Sequence, residues 1–73
     1  PRTNIKINVL KTEYINISIF DLKGNLIRIL NNKVLEVGKY NFGWDASNVT
    51  SGIYIIRLNT STETFIKKAI LTK

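Results

Sequence analysis

Apolar and polar residues alternate with a period of two along nearly the whole chain, which is the signature of half-buried β-strands. Ile5, Ile7 and Val9 alternate with Lys6 and Asn8, and Lys11 to Glu13 break the run. Ile15, Ile17 and Ile19 alternate with Asn16 and Ser18, and Phe20 extends this second strand. Asp21-Leu22-Lys23-Gly24 then reads as a hairpin turn. Aspartate at its first position can accept hydrogen bonds from the backbone ahead, and glycine at its fourth tolerates positive φ. A third strand is expected over about Asn25 to Leu30, with a turn at Asn31-Asn32-Lys33. Its spacing is ambiguous, because Leu26, Ile27, Leu30 and Val34 also fit one face of a helix. The β-branched content and short length favour a strand.

Gly38 opens the next element, where Tyr40, Phe42 and Trp44 alternate with Asn41 and Gly43 and so share one face. Asp45 to Ser51 reads as a polar loop closed by Gly52, followed by a strand in which Tyr54, Ile56 and Leu58 alternate with Ile53, Ile55 and Arg57. Asn59 to Glu63 is a polar turn, and the last strand spans about Thr64 to Leu71. Turn signals at this spacing, with no long helix to cover a parallel sheet, predict an all-β, mostly antiparallel fold. The expected architecture is one small immunoglobulin-like β-sandwich of about 6–7 strands over residues 1–73. Lys67 and Lys68 are adjacent and must point to opposite faces. Lysine on a core-facing side is tolerable at a sheet edge, where it also deters pairing with other chains, so an edge or strand-end position is expected.

Composition narrows the possibilities. A chain of 73 residues makes one domain of modest core, and 44% hydrophobic residues suffice to fill it. Without cysteine there is no disulfide or thiolate metal site, and without histidine the usual general base is gone. The net charge of +6 would suit an acidic partner, but the 11 basic residues are scattered, with no stripe longer than Lys67-Lys68. That pattern fits a solvated surface better than a nucleic-acid face. No apolar run approaches the ~20 residues that cross a bilayer. The chain opens at Pro1 without a methionine and reads as a fragment or a processed piece, so that targeting information upstream would be invisible in it.

The residues available for chemistry are few. Only 5 carboxylates occur, and Asp21 and Asp45 both stand at turn positions where aspartate caps backbone amides. Asp45, Ser47 and Asn48 match no calcium-loop spacing. The four glycines form no phosphate-cradling motif. No cofactor, metal or catalytic residue is expected. The aromatic face of Tyr40, Phe42 and Trp44 could stack on sugar rings, but alternation with Asn41 and Gly43 fits a core face better.

In order along the chain, several segments resemble one family, the C-terminal sorting domains of the type IX secretion system. Pro1-Arg2-Thr3-Asn4-Ile5 is similar to the end of the family's opening proline motif. Ile15 to Asp21 with Gly24 resembles its hairpin, Gly38 and Trp44-Asp45 its "Gly…Trp-Asp" strand, and Ser51-Gly52-Ile53-Tyr54 its "Ser-Gly-x-Tyr" motif. Lys67 to Lys73 resembles its lysine-bearing terminal strand. The immunoglobulin-like domain of flagellar hook-capping proteins is similar through the middle. The chain departs from the family pattern in lacking residues before Pro1 and a second glycine in the Asp45–Gly52 loop.

The resemblance implies a β-sandwich that serves as an address. It implies recognition in the periplasm of a Gram-negative bacterium, passage with a cargo through the type IX translocon, and help from an outer-membrane β-barrel shuttle protein. Removal by a sortase-like peptidase and a secreted or cell-surface destination are implied as well. No nucleic acid and no membrane insertion by the chain itself are expected. Partner-binding residues are expected at the two ends: Pro1, Thr3 and Ile5, with Lys67, Lys68 and Lys73. Asp21, Gly24, Gly38, Trp44, Gly52 and Tyr54 are assigned to structure. Two other readings stay open, a carbohydrate or adhesion module that needs exposed aromatics, and a structural spacer that needs further folded protein after Lys73.

Overall fold

The period-two pattern folds as it reads, into strands and connecting turns. A computed structural model describes residues 2–73; Pro1, placed by its motif in the signal, lies outside the described residues. Six strands follow in order: β1 (Arg2–Val9), β2 (Glu13–Asp21), β3 (Leu26–Leu35), β4 (Gly38–Asp45), β5 (Gly52–Asn59) and β6 (Thr64–Leu71). Every pairing is antiparallel. One sheet has the order β3-β2-β5-β6 and the other contains only β1 and β4. The fold is thus the expected small all-β sandwich, with six strands.

The core lies between the sheets. On the larger one, Ile15, Ile17 and Ile19 of β2 and Tyr54 and Ile56 of β5 are buried. On the smaller one, Trp44 is buried, and the partly buried Ile5, Ile7, Tyr40 and Phe42 pack against the shared core. Fully burying an aliphatic or aromatic side chain of this size contributes about 1.5–3 kcal/mol. The loop after β4 is less polar than it reads, because Ala46 is buried and Val49 packs on the core.

The expected turn at Asn31-Asn32-Lys33 does not form; these residues lie inside β3, which continues to Leu35. Two register shifts in the β2–β3 ladder explain the misreading. Ile17 stands opposite Asn31 and Ser18 opposite Ile29, so Leu30 is an extra residue; Ile19 faces Arg28 and Phe20 faces Leu26, so Ile27 is another. Both extra residues pack against the core. Each bulge breaks the alternation by one position. The helix-like spacing of Ile27 and Leu30 is therefore the footprint of two bulges. Asn31, a polar residue in a buried position, is satisfied by donating from Nδ2 to the carbonyls of Ile15 (2.9 Å) and Lys33 (3.3 Å).

The two sheets are unequal, and this positions the site. The short connection from β3 to β4 draws the sandwich together along one side. On the other side β1 and β6 are both edge strands, with no further strand beside them among the described residues.

Candidate functional site

Two surfaces gather the residues singled out from the sequence. The first is one end of the sandwich, where β1 and β3 begin and β2, β4 and β6 finish. Here the Asp21 carboxylate closes the β2–β3 turn. Its Oδ1 accepts from the backbone N–H of Lys23 and of Asn25 (both 2.9 Å), and its Oδ2 accepts from Asn25 Nδ2 (3.0 Å). The Gly24 N–H donates to the Asp21 carbonyl, and Gly24 takes φ +89°, a conformation that only glycine adopts without strain. The Asn25 side-chain amide, followed by its backbone amide, holds the Asp21 carboxyl below its ordinary value. The Asp45 carboxyl is lowered likewise, first by the backbone N–H of Ser47.

Beside these turns, Trp44 meets Tyr54 edge-on, with ring centroids 5.3 Å apart. The Tyr54 hydroxyl donates to the Thr50 carbonyl (2.7 Å) and ties the start of β5 to the loop before it. Lys73 joins the same end: its backbone N–H donates to Ser51 Oγ (3.0 Å) and its ammonium to the Ser47 carbonyl (2.9 Å). Asp21, Gly24, Trp44, Gly52, Tyr54 and Lys73 come from four separate stretches of sequence and meet at this end. Gly38 does not; it sits at the opposite end, where it begins β4 and pairs with Val9.

The second surface is a groove of about 610 Å³ between the open edges of β1 and β6. Ile56 and Leu58 of β5 form its floor, Thr3, Ile5 and Ile7 line the β1 side, and Phe65, Lys67 and Ala69 line the β6 side. The register places Leu58 opposite Phe65, Ile56 opposite Lys67 and Tyr54 opposite Ala69, so these β6 residues share the core face. Lys67 therefore points to the core side, yet it is exposed, because β6 is an edge and the two-stranded sheet does not reach over it. Lys68 takes the outer face, opposite Ile55.

Of the residues expected to bind a partner, Thr3, Ile5, Lys67 and Lys68 are thus brought to one groove, while Lys73 belongs to the other surface. Sequence reasoning missed Phe65, which shares the face of Lys67 and is 55% exposed. The signal was present: a phenylalanine two positions before an inward lysine marks a strand whose inner face is uncovered. Ser47 and Ser51, which receive Lys73, carried no signal beyond their place in a polar loop.

Among the described residues no three acidic groups come together that could hold a metal ion. The aromatic face of Tyr40, Phe42 and Trp44 is turned to the core, the reading its alternation favours over sugar stacking, with Trp44 2% exposed and Tyr40 stacked on Phe42 at 6.2 Å between centroids.

A family model described as a secretion system C-terminal sorting domain matches residues 2–72. No curated protein and no solved structure matches the chain.

Proposed function

Because the chain belongs to the secretion-system C-terminal sorting domains, we propose that it directs an attached cargo across the outer membrane by presenting a folded surface to the type IX translocon and to an outer-membrane β-barrel shuttle protein. The observation that carries this reading is the family match over residues 2–72, nearly the whole chain. The destination is the cell surface or the medium, reached through the periplasm of a Gram-negative bacterium. A sortase-like peptidase is a further partner that acts after translocation. The domain itself is non-catalytic on this reading: it has no histidine or cysteine, and the carboxylates of Asp21 and Asp45 already accept hydrogen bonds from their own turns.

The signal is read from the two ends of the chain together. Support comes from the topology, which makes β1 and β6 the open edges of one groove and brings Thr3 and Ile5 to Lys67 and Lys68. Lys73, held on Ser47 and Ser51, contributes from the neighbouring end of the sandwich. Small interfaces gain most of their affinity from a few such anchors and from edge-strand hydrogen bonds.

A secretion assay tests this. Residues 1–73 are fused behind a fluorescent reporter with a periplasmic export signal, in cells with and without the type IX translocon. Reporter in the medium or on the surface of the first cells, and trapped in the second, is the expected result. Lys67→Ala with Lys68→Ala, both at exposed positions, should reduce export without changing the reporter's folding. Equal export from both strains would refute the sorting reading, and undiminished export of the double variant would remove the two lysines from the signal.

A further inference from the structure

We propose that the groove between β1 and β6 accepts one extended protein segment, which adds as a strand to the free edge of β1 and alternates apolar side chains, facing in, with acidic ones, facing out. This rests on the reading of the domain as a recognised surface and goes further by naming the chemistry of what it takes.

The first ground is the inequality of the sheets. Four strands face two, and the shortfall falls over β6. Phe65 stands on the same face as the buried Ile56 and Tyr54, yet more than half of it is exposed. Further along that face the cover returns: Ala69 is half-buried and Leu71 is buried. A third strand beside β1 would lie over Phe65 and Lys67 and complete the layer.

The second ground is the backbone. β1 is paired only with β4, so its other edge offers a row of N–H and C=O groups with no strand partner among the described residues. Such an edge is a template for an added strand, with backbone hydrogen bonds supplying affinity and side-chain pockets supplying selectivity. The groove follows β1 from Thr3 to Ile7. At about 3.3 Å per residue that stretch seats roughly five residues of an added strand.

The third ground is charge. Lys6, on the outward-facing side of β1, lines the groove, and no carboxylate does. On β1 the inward Thr3, Ile5 and Ile7 alternate with the exposed Arg2, Asn4 and Lys6. The outward side chains of an added strand would therefore stand beside Arg2 and Lys6, and its inward ones over Phe65 and Leu58. Cross-strand neighbours of opposite charge stabilise a ladder and like charges destabilise it. The same rule disfavours a second copy of this chain, whose own β1 or β6 would bring lysines against lysines.

The test uses a labelled eight-residue peptide alternating glutamate and valine. Its controls are a lysine–valine counterpart and a peptide of the same composition with glutamates and valines in two blocks. Fluorescence anisotropy should give saturable binding of the alternating acidic peptide alone, weakening as salt rises. Amide hydrogen exchange should show new protection in Thr3 to Ile7. Arg2→Glu and Lys6→Glu should each weaken binding by about threefold to tenfold. Phe65→Ser should weaken it independently of salt. All three positions are exposed, so circular dichroism of the variants should match the parent. Equal binding of the block peptide, or protection that maps outside β1 and β6, would overturn the proposal. So would a dimer in sedimentation that buries this groove. The secretion assay separates the two readings: a domain that sorts its reporter but ignores the peptide loses only this inference, and one that binds the peptide but fails to sort loses only the sorting role.

Discussion

At Asp21 one carboxylate takes three hydrogen bonds, two from backbone amides and one from Asn25. Its negative charge strengthens all three, which is why its carboxyl lies below the ordinary value of 3.8. The folded state thus holds the Asp21 proton less tightly than the unfolded chain does. The resulting stability is present above the ordinary carboxylate value and is lost as pH falls through the depressed one. Asp21→Ala should lower the thermal midpoint at neutral pH, and the difference from the parent should shrink as the solution is acidified below that ordinary value. Melting curves across an acid series check this. A difference independent of pH would mean that turn geometry, not the ionised carboxylate, carries the effect. Tyr54 acts by another route at the same end, since its hydroxyl ties down the Thr50 carbonyl while its ring packs on Trp44.

Among the elements, β3 depends most on a single polar side chain. Asn31 bonds the Ile15 carbonyl of β2 and the Lys33 carbonyl of its own strand, next to the bulge at Leu30. Asn31→Ala would leave the Ile15 carbonyl without that donor in a buried place, at a cost of about 1–3 kcal/mol. Asn32 sits one residue on, exposed, with its side-chain oxygen hydrogen-bonded to Tyr14 and Asn16. Asn32→Ala should stay within about 0.5 kcal/mol of the parent. Urea titrations of the two variants measure the contrast, and equal effects would deny Asn31 its role in fixing the register. The same strand marks the boundary of what the sequence makes legible. β6, whose Phe65-Ile66 and Lys67-Lys68 pairs do not alternate, reads from the polar turn before it. β1, β2, β4 and β5 read directly from period-two alternation, because each faces the core with every second residue. β3 does not, because its two bulges shift the phase and Asn31 puts a turn-like residue inside the core. The end of the sandwich was legible in its turn chemistry at Asp21 and Gly24. The groove was not, because exposure of Phe65 and Lys67 depends on how many strands the facing sheet has, a property of the assembled molecule and of no local segment.

For the whole molecule the question is whether so small a second sheet is a unit of its own. Two strands alone are marginal in water. β1 and β4 persist because Trp44 inserts between the sheets, meets Tyr54 of β5 and shares one core with Ile17 and Ile19 of β2. A domain of this size has about 4–11 kcal/mol of stability to lose, and replacing a buried tryptophan by alanine removes about 3–5 kcal/mol of it. Separating the sheets would expose Trp44 and cost a large part of the total, so the smaller sheet cannot open cheaply while the larger one survives. Unfolding in urea should therefore be a single transition. The red shift of Trp44 fluorescence, which reports the smaller sheet, should coincide with the loss of far-ultraviolet circular dichroism, to which all six strands contribute. Trp44→Ala should lower the urea midpoint by a large fraction of the parent's value. If the fluorescence change instead precedes the dichroism change, the β1–β4 pair comes away first. The groove between β1 and β6 would then be an edge that opens and closes, and no longer a rigid acceptor.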